Sequence, residues 1–424
     1  MYCGGCLRDN ALVAALRKLG HQVTMVPLYL PLTLDEADQS GGTPVFFGGL
    51  NVYLEQKSVV FRAAPGWLHD LFASPRVLKW AAGKTAKTRA ADLGELTLSM
   101  LRGEAGNQAR ELEQLIAWLK TQPPPDVVCL SNALLVGMVR RLKSGVRAPV
   151  ACSLQGEDFF LDALPEPHRA ACWRTLAERA QEVDLFIAPS RYFGGLMRER
   201  LSLTPEKVRV VHNGINLEGY EVKAAGGRQK AEGQGTRAPA LGFFARMCPE
   251  KGLDTLVEAY IRLQQRGRAG NLKLRVGGSC GPADTPFVNS LQEKLGTGGL
   301  LGAAEFHPNL DRAGKVEFLR SLSVFSVPAR YGEAFGLYVI EAMAAGVPVV
   351  QPRVAAFPEL IEATGGGVLC APGDPQALAE AIEELLLDPA RARALGEAGR
   401  RAVFDRFSAE AMARAVVQAC GELT

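Results

Sequence analysis

The stretch most informative about this chain is EAFGLYVIEAMAAGVPVV, residues 333–350. Its two carboxylates, Glu333 and Glu341, stand eight positions apart, with a glycine shortly after the first. A helix beginning near Phe335 would place Glu341 about two turns inside it, and Glu333 at its mouth beside backbone N–H groups that lack an intrahelical partner. Such N–H groups favour phosphate, and carboxylates accept hydrogen bonds from hydroxyls. The stretch therefore predicts a site for an anionic, polyhydroxylated ligand.

A second segment supplies positive charge. GFFARMCPEKG, residues 242–252, carries Arg246 and Lys251 five positions apart, directly after a predicted strand. Alone, each feature is weak, because an E-x7-E spacing arises by chance in many helices and two nearby cations usually mark a solvated loop. Their conjunction within one αβ pattern is far more specific and indicates a functional site.

The two segments together resemble the donor site of family-4-type retaining glycosyltransferases (glycosyl transferases group 1). The resemblance is strong from residue 184 to the end and weaker over the first part of the chain. It implies an α/β protein of the GT-B fold, with two Rossmann-like doubly wound domains and a cleft between them. It also implies an enzyme that moves a hexose from a nucleotide diphosphate sugar with retention of anomeric configuration.

The αβ pattern supports two such domains, because short apolar strands followed by helices predict parallel sheets covered on both faces. We expect an N-terminal domain at 1–212, a hinge and flexible linker at 213–239, and a nucleotide-sugar domain at 240–400. The last segment, 401–424, is predicted to pack back toward the N-terminal domain. Helices are predicted at 10–19, 66–119 and 389–420. Strands are predicted at 22–27, 45–53, 126–131, 148–154, 185–188, 208–211, 240–244, 272–276, 324–327 and 347–351.

The resemblance also implies roles for donor-site residues. Arg246 and Lys251 would stabilise the leaving diphosphate, Glu333 would contact hydroxyls of the donor sugar, and Glu341 would contact the ribose. Because no Asp-x-Asp follows a plausible donor-domain strand, we expect the basic pair to replace a metal, and no cofactor besides the donor. Other predicted donor contacts are backbone groups of Ala334, Phe335, Gly336 and Leu337, the close-approach glycines Gly277 and Gly278, and the base-flanking residues Asn309 and Leu310.

Candidates in the first domain are fewer. Gly4 and Gly5, before the predicted helix at 10–19, resemble the family's glycine loop near the donor diphosphate and the acceptor. Glu157 and Asp158 follow a predicted strand and are acceptor-side candidates, against the alternative that they only cap a helix. Many relatives carry a histidine near this point, where this chain has Gln155. That departure argues against a histidine role here.

The amino-acid composition restricts the class of protein and the kinds of partner that remain open. Apolar residues form 47% of 424 positions and charged residues 22%, as in globular proteins, and the net charge of +3 argues against a nucleic-acid partner. The nine scattered cysteines and the absence of a long uncharged apolar run indicate a cytoplasmic protein without a membrane span. The acceptor is predicted only as a carbohydrate, lipid or small molecule. The basic stretch at 76–89 is either a solvated face with a core stripe or a contact with the acceptor or a membrane surface.

Two alternatives to a transferase stay open from the sequence: a nucleotide-sugar epimerase of the same architecture, and a catalytically silent binding scaffold. A further expectation concerns the start of the chain. In this fold a central strand precedes the glycine loop, yet only three residues precede Gly4. We therefore expect Met1 to be internal to a longer natural protein.

Overall fold

The computed structural model describes residues 4–29, 36–47, 90–221 and 238–423. The chain divides into two compact units. The N-terminal unit comprises the described residues within Gly5–His212 and Ala413–Thr424, and the C-terminal unit comprises Gly4 and those within Asn213–Met412.

The N-terminal unit contains a parallel four-stranded sheet in the order β1-β2-β3-β4. Strands β2 and β3 are buried at every position, which is the burial expected of parallel strands covered on both faces. The elements are α1 Gly4–Lys18, α2 Ala90–Arg102, α3 Ala109–Leu119, β1 Val128–Leu130, α4 Val139–Val146, β2 Val150–Ser153, α5 Glu157–Asp162, α6 His168–Ala180, β3 Leu185–Ala188, α7 Arg191–Arg200 and β4 Val208–Val210.

The C-terminal unit contains a parallel six-stranded sheet in the order β10-β9-β8-β5-β6-β7. Its elements are β5 Ala240–Phe244, α8 Leu253–Arg266, β6 Lys273–Gly278, α9 Thr285–Thr297, β7 Ala304–Pro308, α10 Arg312–Arg320, β8 Val324–Phe325, α11 Leu337–Ala344, β9 Val349–Pro352, α12 Phe357–Thr364, β10 Gly367–Cys370, α13 Pro375–Leu387, α14 Pro389–Arg406 and α15 Ala409–Cys420, which crosses into the other unit after Met412.

The strand order places a topological switch point between β5 and β8. The chain proceeds from β5 through β6 to β7 on one side and then returns to β8, which pairs with the other side of β5. Open parallel sheets bind ligands beyond the carboxyl ends of the strands at such a point. The segments that follow β5 and β8 are therefore the expected walls of a site, and they are the two segments singled out from the sequence.

Some expected elements differ in the first part of the chain. The strand predicted at 22–27 is wrong, because these residues are irregular and only Leu28 forms a single parallel bridge, with Phe46. Of the strand-like piece at 45–53, residues 45–47 show only that bridge, and the rest lies outside the described residues. An apolar alternation becomes a strand only when a neighbour accepts its hydrogen bonds.

The helix predicted at 10–19 begins earlier, at Gly4. Its extra turn is held by a tertiary contact, since the buried Arg8 donates to the Ser153 hydroxyl at the end of β2 over 3.2 Å. The helical prediction at 66–119 is confirmed over its described part, where α2 and α3 flank a short turn. Residues 66–89, including the whole basic stretch at 76–89, lie outside the described residues.

Two strands, β7 and β10, were not predicted. Both lie at the edges of the six-stranded sheet, and most of their residues are half-buried. Edge strands lack the continuous apolar run that marks a central parallel strand, so this signal is missing from the sequence.

The helix predicted at 389–420 is two helices. The break at Ser408 pairs with the predicted turn at 213–214: Ile215 N–H donates to the Phe407 carbonyl over 2.9 Å, and Ala409 N–H donates to the Ile215 carbonyl over 2.8 Å. A Cβ on Gly214 would lie 2.2 Å from the Ser408 carbonyl oxygen, so only glycine fits there. The residues of the proposed linker at 222–237 lie outside the described residues.

Gly252, in the C-terminal unit, is a position at which a side chain would be costly. It caps α8 in the left-handed conformation with φ at 72°, and a Cβ there would lie 1.9 Å from the Pro328 carbonyl oxygen. Gly267, at the other end of α8, has φ at 66° but open space around it. We expect Gly267→Ala to cost about 1–2 kcal/mol of unfolding free energy from backbone strain alone. Gly252→Ala should cost about 1–3 kcal/mol more from the clash. Equal costs in urea unfolding would contradict this packing.

Candidate functional site

The loops that follow β5 and β8 lie against each other within the C-terminal unit. Arg330 N–H donates to the Glu250 carbonyl over 3.0 Å, and Gly252 packs against the Pro328 carbonyl. These backbone contacts fix the spacing between the two loops. They bring together two predicted site residues that are 82 positions apart, Lys251 and Glu333.

Glu333 accepts three hydrogen bonds on one oxygen. Its Oε2 accepts from Lys251 Nζ at 2.6 Å, from the Tyr338 hydroxyl at 2.8 Å and from the Tyr331 hydroxyl at 3.2 Å. Within the described ranges its Oε1 has no hydrogen-bond partner, and the side chain is 15% exposed. The carboxylate is thus held in one orientation, with one oxygen still able to accept from a ligand hydroxyl.

Lys251 is held just as firmly. Its side chain is 17% exposed, and its ammonium also donates to the Tyr331 hydroxyl. Burial alone would lower the pKa of Lys251, but the Glu333 carboxylate and the Tyr331 oxygen outweigh burial and raise that pKa above its usual value. The ammonium therefore stays charged, and since it has three N–H donors, one remains for an anionic ligand.

The two tyrosines were missed from the sequence. Burial, with the nearby Glu333 charge, raises the pKa of both Tyr331 and Tyr338, so both hydroxyls stay protonated and can donate. Tyr331 stands two positions before Glu333, and Tyr338 lies in the first turn of α11. Nothing in the local pattern separates a core aromatic residue from one whose hydroxyl serves a site.

The helix α11 begins at Leu337, and not near Phe335 as expected. Gly336, with φ at 96°, caps it, so Glu341 lies about one turn into the helix and not two. Of the four residues predicted to offer backbone N–H groups, Gly336 and Leu337 form the helix start. Ala334 and Phe335 precede it and are buried, with Phe335 packed against Phe407.

Glu341 forms a second, separate ion pair. Its Oε1 accepts from Lys315 Nζ, which belongs to α10, over 2.7 Å. The Lys315 side chain is 9% exposed and the Glu341 side chain 18%. Lys315 was missed from the sequence, because a lysine on an amphipathic helix is usually solvated.

Arg246 forms a third pair. Its guanidinium grips both carboxylate oxygens of Asp284, at the start of α9, over 2.9 to 3.2 Å. The hydrogen bond to Asp284 raises the pKa of Arg246. Burial alone would raise the pKa of Asp284, but the hydrogen bond from Arg246 outweighs burial and lowers that pKa. The Arg246 side chain remains 59% exposed, so part of the fork is open to solvent. The structure thus places Lys251 with Glu333 but Arg246 with Asp284.

The remaining predicted donor residues surround the ends of β6 and β7. A Cβ on Gly277 would lie 2.6 Å from the Phe244 ring, and one on Gly278, with φ at 122°, would lie 1.9 Å from the Ala245 carbonyl oxygen. Packing alone therefore requires both glycines. Asn309, beside the partly buried Leu310, uses its side-chain amide to bind the backbone of Cys280 on both sides, at 3.1 Å each. Their contact with a nucleotide stays a prediction.

In the N-terminal unit, Glu157 has a structural partner set. One oxygen accepts from Ala133 N–H at 2.7 Å, and the other accepts from the N–H groups of Gln155 and Gly156 at 2.9 and 3.1 Å. Burial raises the pKa of Glu157 even though these N–H groups favour the carboxylate. Both oxygens are committed to backbone N–H groups, but these groups belong to Ala133 and to the residues before α5, so Glu157 does not cap α5 with its side chain.

Asp158 differs from its neighbour. Its Oδ1 and the Gln155 Nε2 are buried atoms without a hydrogen-bond partner among the described residues. Burial also raises the pKa of Asp158. These two side chains can still bind a ligand. Gly4 and Gly5 are the first two residues of α1, and not a loop before it.

No group of three or more His, Cys, Asp or Glu residues in the described ranges is arranged to hold a metal ion. No helix there is both long and apolar enough to cross a membrane.

Comparisons with known proteins cover both units. The family model described as glycosyl transferases group 1 matches residues 228–402, and the model described as glycosyltransferase family 4 matches residues 94–218. D-inositol 3-phosphate glycosyltransferase 1 of Catenulispora acidiphila is 33% identical over 400 residues, covering 86% of this chain and 88% of the relative. The D-inositol 3-phosphate glycosyltransferase of Segniliparus rotundus is 26% identical over 396 residues, covering 86% and 82%.

Solved structures give the same fold. HepE of Anabaena in complex with UDP superposes with a TM-score of 0.62 at 18% identity, covering 76% of this chain and 84% of that chain. The same protein has also been solved with UDP-glucose, where the TM-score is 0.59 and the coverage is 94% and 100%. At this identity the likeness concerns the fold alone.

The Glu157 contacts give a stability prediction. In Glu157→Gln the amide keeps one acceptor oxygen but turns an NH₂ group toward backbone N–H donors. We expect a loss of about 1–3 kcal/mol, since a buried donor is left without a partner. Asp158→Asn is the matched control and should change stability little, because its buried oxygen has no partner to lose. Calorimetric unfolding that ranks the two variants equally would contradict the role of Glu157 in holding these backbone N–H groups.

Proposed function

The chain belongs to the group 1 glycosyltransferases with the GT-B fold, and we propose that it transfers a hexose from a nucleoside diphosphate sugar to a hydroxylated acceptor with retention of configuration. The observation that carries the proposal is the bond between Lys251 and Glu333 at the switch point of the six-stranded sheet. It sets a cation and a carboxylate side by side, each with a donor or acceptor atom left for a ligand.

In the proposed reaction the bond between the anomeric carbon and the diphosphate oxygen breaks, and the acceptor oxygen bonds to the same face of that carbon. The acceptor proton passes to the leaving phosphate. Negative charge grows on the diphosphate as the bond breaks, so cations placed there bind the transition state more tightly than the ground state. We assign this role to Lys251 and the exposed part of Arg246, without a metal.

Glu333 is proposed to accept hydrogen bonds from hydroxyls of the donor sugar through its open Oε1. Its other oxygen is saturated by three donors, so the carboxylate does not have to reorganise when the sugar arrives. It is not proposed as a nucleophile, because its negative charge is neutralised by Lys251 and its role is to position the sugar. Glu341, held by Lys315, is proposed to accept from the ribose hydroxyls.

The proposed acceptor contacts are Asp158 and Gln155, because both present buried polar atoms without a partner among the described residues. Glu157 is not included, since its oxygens bind backbone. The relatives named for D-inositol 3-phosphate and the neighbour solved with UDP-glucose make a phosphorylated polyol and UDP-glucose the first acceptor and donor to test. A cytoplasmic location and a weak membrane contact through residues 76–89 also remain proposals.

A donor panel tests the proposal directly. The protein is incubated with UDP-, ADP- and GDP-hexoses plus candidate acceptors, with EDTA present, and products are resolved by NMR. We expect sugar transfer or slow hydrolysis giving the donor's own anomeric configuration. An epimerised donor would identify an isomerase, binding without turnover would identify a scaffold, and strict dependence on added metal would overturn the metal-free assignment.

Replacing Glu333 separates sugar positioning from nucleotide binding. In Glu333→Ala we expect turnover to fall about 10²–10³-fold, the usual loss for one preorganised polar group at a reacting centre. UDP binding should stay the same or tighten, because the ammonium of Lys251 is then fully available to phosphate. Glu250→Ala, next to Lys251 and exposed, is the control and should keep wild-type turnover. Wild-type turnover in Glu333→Ala would refute the donor assignment.

The pair of Lys315 and Glu341 gives a test for the ribose. Lys315→Met should weaken UDP binding by about tenfold, the effect of one charge-assisted contact that no longer orients Glu341. Binding of pyrophosphate, which lacks the ribose, should be unchanged. Lys294→Met, which loses a surface pair with Glu258, is the control for charge alone. Equal losses for UDP and pyrophosphate would show that Glu341 does not contact the ribose.

A further inference from the structure

A cavity of about 480 Å³ opens in the N-terminal unit between α2, α4 and α6. None of the residues proposed above for donor or acceptor binding lines it. Its walls combine four guanidinium groups with two carboxylates. The charged lining residues are Arg102, Arg140, Arg174, Arg179, Glu178 and Glu182.

Arg179 forms the buried base of this cavity. Its side chain is only 9% exposed, and its Nη2 donates to the Gly137 carbonyl at 2.8 Å and to Glu104 at 2.6 Å. Its Nε is a buried donor without a partner among the described residues. The surrounding backbone is tightly packed, since a Cβ on Gly103 would lie 1.9 Å from the Gly137 carbonyl oxygen. The base is therefore preformed.

The rim carries positive charge that is only partly paired within the described residues. Arg140 shares Glu104 and Glu182, at 2.8 and 2.5 Å. In contrast, Arg102 on α2 and Arg174 on α6 are exposed and form no ion pair with any described residue. Two free guanidinium forks at the mouth of one cavity match the oxygens of a phosphate group.

The two carboxylates in the cavity wall further restrict the chemical class of ligand that fits. A site for inorganic phosphate alone would not benefit from Glu178 and Glu182, which repel anions but accept hydrogen bonds from hydroxyls. A ligand that carries both a phosphate and several hydroxyls satisfies both kinds of wall. The volume lies within the range of small-molecule sites.

We propose that this cavity binds a phosphorylated sugar or polyol, with the phosphate on Arg102 and Arg174 and the hydroxyls on Glu178 and Glu182. This makes it a second binding site, whose residues are distinct from those proposed for sugar transfer. The inference does not depend on the proposed transfer reaction, because it rests on side chains that the transfer reaction does not use.

Isothermal titration of the full-length protein tests the site with three probes, glucose 6-phosphate, myo-inositol 1-phosphate and glycerol 3-phosphate. We expect saturable binding of at least one, and much weaker binding of glucose or inorganic phosphate alone. In the double variant Arg102→Ala/Arg174→Ala, Kd should rise about tenfold or more, since each lost contact is charge-assisted. The melting temperature should not change, because both side chains are exposed.

Two control variants distinguish binding in this cavity from a general effect of charge and from binding at the proposed acceptor side. Arg198→Ala removes an exposed arginine of α7 outside the cavity and should bind like the wild type. Asp158→Ala alters the proposed acceptor side and should also keep binding. The proposal is overturned if no probe binds saturably, if the double variant binds as tightly as the wild type, or if Asp158→Ala loses binding as fully as the double variant. The last result would place the ligand at the acceptor side and leave the transfer proposal intact.

Discussion

The bond between Lys251 and Glu333 is the interaction on which the candidate site depends. Both side chains are largely removed from water, and a charge in such surroundings is costly unless an opposite charge compensates it. The bond exists only because β5 and β8 are neighbours, although two strands intervene between them in the sequence. Gly252 then lets the two loops approach to backbone contact. The ion pair therefore depends on the order of the strands in the sheet and on the glycine at position 252.

Around that bond the C-terminal unit repeats one arrangement. Lys251 with Glu333, Lys315 with Glu341 and Arg246 with Asp284 each join a cation and a carboxylate from different loops or helices. Each pair leaves some donor or acceptor capacity unused, so a ligand with phosphates and hydroxyls finds oriented partners of both signs. Oriented groups contribute more to a charged transition state than flexible ones, since they do not reorganise during the reaction. The geometry favours polar, anionic, hydroxylated ligands over apolar ones.

Much of this was predictable from the sequence, and the rest has a common reason for being missed. Central strands such as β3 and β5 were located to the residue, because continuous apolar runs mark buried parallel strands. Edge strands β7 and β10 carry no such mark. The predicted site residues Lys251 and Glu333 do meet, but the side chains that hold the site residues were not found. These are Tyr331 and Tyr338 beside Glu333, Lys315 beside Glu341, and Asp284 beside Arg246. Those contacts join segments that are mostly far apart in sequence, and a tyrosine or lysine on a helix has the same local pattern whether or not it serves a site.

Glu157 shows what such a contact means for anyone who redesigns this enzyme. A carboxylate after a sheet strand, beside the proposed acceptor contacts, is an obvious target for altering substrate choice. Its two oxygens instead hold three backbone N–H groups, which makes it part of the scaffold. A library that randomises this position would yield mainly destabilised variants, and an assay of activity alone would misread the resulting loss as catalytic. Diversity is better directed to Gln155 and Asp158, each of which has a buried polar atom without a partner in the part of the chain that the structure describes.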